Sequence, residues 1–200
     1  GMGAYSPALI LNHANYDRIM DQVVRPTING LVMDGLKYRG FLYVGIMLTN
    51  DGNPKVLEYN CRLGDPESQP ILYRLESDLL DLIEASYKGD LSEKIISWDS
   101  RAAVGVVMAA KGYPGSYEHG VKLDLGKEKS HTKVFHAGTM IENNIVKTNA
   151  GRVLCVTALG ETVTEAQLRA YRRLDTIHFP GAMYRTDIGH RAIAREKLSS

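Results

Sequence analysis

Two hundred residues, 44% of them hydrophobic and 24% charged, suffice for one large domain or two small ones around a real core. Twenty-four Lys and Arg against 23 Asp and Glu leave a net charge of +1, which excludes the basic face of a nucleic-acid or acidic-lipid binder and leaves compact anionic ligands open. Cys61 and Cys155 lie outside any C-x-x-C pattern, which excludes a disulfide framework and reads as the reduced thiols of a cytosolic protein. The longest uncharged apolar stretch, Ala102 to Ala110, is far too short for a bilayer.

In chain order, Gly1-Met2-Gly3-Ala4-Tyr5-Ser6-Pro7 reads as the interior of a loop, with no signal-peptide pattern. Either Gly1 is left from a tag ahead of Met2, or the sequence begins inside a longer protein. Tyr16, Ile19, Met20, Val23 and Val24 repeat at helical spacing, with Asn12 or Asn15 as cap and Pro26 kinking or ending the helix. Ile28, Leu31 and Val32 resume it, and Asp34-Gly35 stops it. Tyr38 to Thr49 is apolar in both alternating sets, as in a strand covered on both faces. The turn signal Asn50-Asp51-Gly52-Asn53 sends Lys55 to Tyr59 back antiparallel. Asp65-Pro66 opens a helix whose apolar residues run from Ile71 to Ile83 and which ends at Lys88-Gly89.

A polar stretch from Leu91 to Ser100 marks a boundary. Beyond it, Arg101 to Ala110 reads as a buried strand, Tyr113-Pro114-Gly115 as a turn and Val121 to Lys129 as a loop. Thr132 to Met140, Ile145 to Thr148 and Arg152 to Leu159 read as further strands. Thr162 and Glu165 form a capping box for a helix carrying Ala166, Ala170, Leu174 and Ile177. The tail, Tyr184 to Leu198, holds a short strand or turn and a last helical turn.

The most informative run is Glu58-Tyr59-Asn60-Cys61-Arg62-Leu63-Gly64-Asp65-Pro66-Glu67. Alternate strand residues share a face, so Glu58, Asn60 and, if the strand persists, Arg62 converge on one patch. A carboxylate and an amide oxygen are hard donors suited to Mg²⁺, which takes few protein ligands alongside phosphate oxygens and water. An arginine two residues on meets phosphate or carboxylate bidentately. The patch has the composition of a place that holds a metal–nucleotide during phosphoryl transfer. Cys61, between them, points to the other face and reads as packing. The six histidines show no metal-ligand spacing.

The run R-L-G-D-P-E-S-Q at 62–69 resembles the signature of the phosphoribosylamine–glycine ligases, or glycinamide ribonucleotide synthetases, ATP-grasp enzymes of purine synthesis. G-M-G-A-Y-S-P at 1–7, G-F-L-Y-V-G at 40–45, V-F-H-A-G-T at 134–139 and G-R-V-L-C-V-T-A-L-G at 151–160 resemble the same family, collinearly and over essentially the whole chain. The resemblance implies an α+β fold: a second ATP-grasp lobe, antiparallel sheet with helices, at 1–97, then a small β-rich C-terminal domain at 98–200 like that of biotin carboxylases. It implies the C-terminal half of an enzyme roughly twice as long. The N-terminal half, with the small lobe and most of the adenine pocket, would be the missing partner. The implied reaction joins glycine to 5-phosphoribosylamine with ATP and Mg²⁺ or Mn²⁺, through a glycyl phosphate, in the cytoplasm.

Residue by residue, the resemblance gives Glu58 and Asn60 the metal, at the family's E-x-N motif. It gives Arg62 the acyl phosphate or transferring phosphoryl group; a surface arginine paired with Glu67 is the plainer alternative. Asp65 either binds an amine of a substrate or caps the next helix. Gly1, Gly3 and Ser6 line a phosphate-holding loop or form an ordinary turn. Many ATP-grasp enzymes carry another carboxylate on the preceding strand; Gly40 to Leu48 has none. Arg152 either reaches the cleft or is structural, the second being favoured. The rival readings are another ATP-grasp carboxylate–amine ligase and a non-catalytic half that docks with a separate N-terminal half.

Overall fold

The computed structural model describes residues 1–199. The chain forms two compact units that alternate along the sequence. One comprises Gly1–Pro7, Asp65–Leu75 and the chain from Trp98 on; the other comprises Ala8–Gly64 and Glu76–Ser97.

The first unit is built on a four-stranded antiparallel sheet in the order β1 (Gly3–Ser6), β4 (Ala102–Ala109), β8 (Arg152–Gly160), β5 (Thr132–His136). Every residue of β4 is buried, as is every residue of β8 after Arg152. On one face Val104, Val106 and Met108 stand opposite Ala158, Val156 and Leu154, and pack with Ala166, Ala170 and Leu174 of α5 (Val163–Leu174). On the other, Gly105 is opposite Thr157, and a side chain at 105 would stand 3.4 Å from Pro70 of α3 (Ser68–Tyr73). Helices on both faces explain why this small-residue and valine run is apolar in both alternating sets. The capping box forms: Thr162 Oγ1 accepts from the Glu165 N–H at 3.1 Å.

The expected strand over Thr132 to Met140 is two strands. It breaks at Ala137-Gly138, whose N–H groups both donate to the Val153 carbonyl. A Cβ at 138 would lie 2.4 Å from Ala150 Cβ, so glycine is required there. Beyond the break, β6 (Thr139–Glu142) pairs with β7 (Ile145–Thr148) in a separate hairpin. The tail forms a ten-residue helix, α6 (His190–Ser199), rather than a single turn. Glu196 on this helix accepts from the Thr164 N–H at 3.0 Å, which ties the tail to the start of α5.

Arg101 and Asp99 brace the entry to β4. Arg101 Nε donates to Asp99 Oδ1 at 3.0 Å and Nη2 to Oδ2 at 2.5 Å, and Arg74 Nη2 donates to the Asp99 carbonyl at 2.9 Å. The Arg101 hydrogen bond, reinforced by its charge, lowers the Asp99 carboxyl from 3.8 to about 2. A carboxyl depressed on folding adds stability that is present above its unfolded value and is lost as pH falls through the folded one. Asp99→Asn is therefore expected to cost about 1 kcal/mol at pH 7, allowing for screening at a partly exposed pair. The gap between the urea midpoints of the two proteins should close as pH falls from about 4 toward 2.

The second unit holds α1 (His13–Ile19), α2 (Arg25–Met33), the hairpin β2 (Tyr43–Leu48) and β3 (Pro54–Asn60), and α4 (Leu79–Lys88). Asn12 caps α1, accepting from the Asn15 N–H at 2.8 Å. Pro26 does not end the helix. A π-helical turn at Met20–Val24 precedes it, with the Arg25 N–H reaching back five residues to the Met20 carbonyl, so α1 runs on into α2. The helix expected through Ile71 and Ile83 is split. After α3 the chain breaks, and Asp78 restarts it by capping α4, with the Leu80 N–H donating to Oδ1 at 2.7 Å. Gly89 closes α4 at φ 91°.

Strand β2 is shorter than expected and is not covered on both faces: its residues are half-buried or exposed, and Met47, Leu57 and Tyr59 are exposed. Among the described residues the hairpin has only two strands, and the unit's buried apolar side chains are Ile19, Val23 and Ala85.

Candidate functional site

The hairpin fixes where Glu58 and Asn60 face. Gly45 pairs with Glu58 but Ile46 pairs with Val56, so Leu57 is an extra residue and the strand bulges there. Opposed residues of an antiparallel pair share a face. Past the bulge, Glu58 and Asn60 therefore lie on the face of their partners Gly45 and Tyr43, away from that of Ile46 and Val56. Tyr59 lies on the other face, where its Oη is 2.9 Å from Thr27 Oγ1 of α2. Helix α2 thus approaches one side of the ribbon and leaves the carboxylate–amide pair on the opposite side.

Gly45 makes room for that pair. A Cβ built on it would stand 3.0 Å from Glu58 Cγ. Glu58 is exposed and Asn60 half-buried. Among the described residues no three His, Cys, Asp or Glu side chains cluster as a closed metal cage. One carboxylate and one amide on a shared open face, with glycine opposite, fit an ion that keeps most of its coordination for phosphate oxygens and water.

The strand ends at Asn60, so Arg62 is not its next alternate residue. It is exposed, and its Nη1 donates to the neighbouring Leu63 carbonyl at 3.1 Å.

Asp65 does not cap α3. The residue preceding that helix is Glu67, in helical conformation and without a side-chain cap bond. The Asp65 carboxylate is held otherwise: Oδ2 accepts from Arg152 Nη2 at 2.9 Å and Oδ1 from Gln69 Nε2 at 3.2 Å. Arg152 Nη1 also donates to the Asp65 carbonyl at 2.7 Å and to the Gly1 carbonyl at 3.1 Å. Gly3 and Ser6 lie in strand β1 rather than in a loop. A side chain at position 3 would run into Ile188 at 2.6 Å and the Gly105 carbonyl at 2.7 Å, while Ser6 Oγ accepts from Arg74 Nη1 at 2.8 Å. Among the described residues only one edge of β1 is paired, and a groove of about 490 Å³ runs along Gly1 to Tyr5 beside Arg185, His190 and Arg191.

Cys155 has no part in exposed chemistry: burial pushes its thiol up to about 11, against a weaker opposing hydrogen bond from Thr157. Two features escaped the sequence reading, the accommodating role of Gly45 and the union of Arg152 with Asp65. Both depend on bulges, which leave no mark in hydrophobic periodicity.

The family model for the phosphoribosylglycinamide synthetase ATP-grasp (A) domain matches residues 1–68, and that for the phosphoribosylglycinamide synthetase C domain matches residues 103–191. The phosphoribosylamine–glycine ligases of Vibrio cholerae and Allochromatium vinosum are 53% and 56% identical to the chain over 199 residues, 98% of its length. The chain belongs to the phosphoribosylamine–glycine ligase family. It spans about half the length of these relatives, 46% of each. A solved phosphoribosylamine–glycine ligase from Thermotoga maritima matches with a TM-score of 0.83 at 36% identity, over 94% of this chain and 46% of that one. A biotin carboxylase from Campylobacter jejuni matches at 0.63 with 12% identity, over 93% of this chain and 41% of that one, a likeness of fold alone. The α+β ligase-family architecture with biotin-carboxylase likeness is thereby established. No helix among the described residues is long and apolar enough to cross a membrane.

Proposed function

We propose that the full-length protein joins glycine to 5-phosphoribosylamine, with ATP converted to ADP and phosphate. The glycine carboxylate attacks the γ-phosphorus and ADP leaves, giving glycyl phosphate. The amine of phosphoribosylamine then attacks the acyl carbon, phosphate leaves, and the nitrogen loses a proton as the amide forms. The observation that carries this reading is the Glu58–Asn60 pair on the open face of the hairpin, opposite Gly45.

In this reading Glu58 and Asn60 hold the divalent ion, which when bound offsets charge on the β- and γ-phosphate oxygens. Magnesium and manganese both suit an all-oxygen donor set. The exposed guanidinium of Arg62 faces the acyl phosphate or the transferring phosphoryl group. Asp65 accepts a hydrogen bond from a substrate amine, a role supported by its partly exposed, doubly held carboxylate. The open edge of β1 supports substrate contact at Gly3 through main-chain groups; for Ser6 the role rests on family resemblance. We place the ATP-grasp part at 1–97 and the C-terminal domain at 98–200. The cytoplasm is the proposed compartment.

The remaining half of the protein is the proposed partner. The hairpin's uncovered apolar residues support it, since a two-stranded ribbon is marginal unless something packs on it. The test is made on two proteins. The full-length protein should release ADP only when Mg²⁺, glycine and phosphoribosylamine are all present. The 200-residue chain alone should show no micromolar binding of Mg-ATP by calorimetry. Release of ADP without glycine, or micromolar binding by the short chain, overturns the corresponding part of the reading.

A further inference from the structure

We propose that Arg152 is a positioning residue that holds Asp65 at the angle needed to receive a substrate amine. The inference rests on the ligase reading above and adds to it a residue outside the 62–69 signature.

A second bulge puts Arg152 where it is. Along β4 and β8, Met108 pairs with Leu154 but Ala109 pairs with Arg152, so Val153 is the extra residue. Without the slip, Arg152 would share the face of Leu154, which packs with α5. With it, the side chain turns to the α3 face, where Asp65 lies just ahead of that helix. The bulge thus re-aims one guanidinium out of a run that is otherwise buried.

That guanidinium is committed. Nη2 serves the Asp65 carboxylate, and Nη1 serves the Asp65 and Gly1 carbonyls. Two of these three hydrogen bonds from a planar fork fix the backbone and the side chain of residue 65, and the third ties the fork to Gly1. Gln69 Nε2 steadies the other carboxylate oxygen. Gly1 is close-packed in the same joint, since a Cβ there would lie 2.7 Å from Pro66 Cδ and 3.1 Å from Arg152 Nη1. Yet the Asp65 side chain remains 45% exposed, against 27% for Arg152. An acceptor gripped on one side and open on the other is built to receive a donor from outside. Arg152, with its hydrogen bonds turned inward, acts on the substrate through Asp65.

The test is a double-mutant cycle in the full-length enzyme, with Arg152→Ala, Asp65→Ala and the pair, reading kcat and KM for each substrate. Arg152→Ala should raise KM for one of the two amine substrates at least tenfold while KM for ATP changes less than twofold. In the Asp65→Ala background the same substitution should add less than twofold, because the residue it positions is gone. Arg152→Lys should recover part of the loss, and Gln69→Ala should raise the same KM two- to threefold. These last two variants serve if Arg152→Ala does not fold.

Effects of Arg152→Ala and Asp65→Ala that multiply in full overturn the proposal. So does a fall in thermal midpoint with unchanged amine KM. Full activity of Glu58→Ala alongside the expected cycle removes only the metal assignment. Absence of glycine-dependent turnover in the unaltered enzyme overturns both readings.

Discussion

Alanine in place of Glu58 should lower the full-length enzyme's turnover by about 10²- to 10³-fold or more. The same change should shift its folding stability by no more than about 0.5 kcal/mol. The reason for the contrast is local. Glu58 is exposed, so the fold loses little with it. Its carboxylate shares that face of the ribbon with the Asn60 amide, and an ion held by these two protein ligands is poorly held by one. Glu58→Gln separates charge from shape, since the amide occupies the same space without the charge. Gly45→Val tests the geometry without touching either donor. A valine suits a strand, but its Cβ would stand 3.0 Å from Glu58 Cγ and displace the side chain, raising the Mg²⁺ concentration needed for half-maximal rate. Undiminished rates in Glu58→Ala across a Mg²⁺ titration would contradict the assignment.

Leu154→Ala should destabilise the sheet unit by about 3 kcal/mol or more. Leu154 is fully buried, opposite Met108 and within the apolar cluster that joins β4, β8 and α5. Helices lie on both faces of the sheet, so the vacated volume cannot simply fill by collapse from one side. Leu57→Ala removes the same atoms from a side chain that is 64% exposed and should cost less than about 0.5 kcal/mol. Urea unfolding followed by far-ultraviolet circular dichroism checks both. The midpoint should fall for Leu154→Ala with the slope unchanged and hold for Leu57→Ala. Equal midpoints for the two variants would mean that the two leucines do not differ in burial.

What the sequence revealed followed from strong local signals. Thr162 with Glu165 announced α5, Asn50 to Asn53 announced the hairpin turn, and the apolar run from Arg101 to Ala110 announced a buried strand. Each is decided by neighbours within a few positions. What stayed hidden needed distant partners. The split of the long helix between α3 and α4 is visible only once Asp78 is seen to cap, because the leucine spacing runs through the break. Of the two outcomes open at Pro26, ending the helix did not occur, because a π turn just before it accommodates its missing donor. The fate of Asp65 could not be read from Asp-Pro, since the group that claims its carboxylate comes 87 residues later. The coverage expected for β2 reflects the same limit: an apolar pattern on both faces says that something packs there without saying that it belongs to these 200 residues.

The alternation of the two units along the chain has a bearing on how the molecule assembles. Strand β1 ends at Ser6, and among the described residues its one sheet neighbour is β4, where Ala103 stands opposite Ser6. At ribosomal rates that interval lasts roughly 5 to 20 seconds. Throughout it the hairpin, a local structure, has time to close, while the first strand waits unpaired for an edge that has yet to be synthesised. The sheet is therefore a late event, sealed only when β4 and then β8 emerge, and the residues of β1, made well before those of β4, wait longest for their place in it.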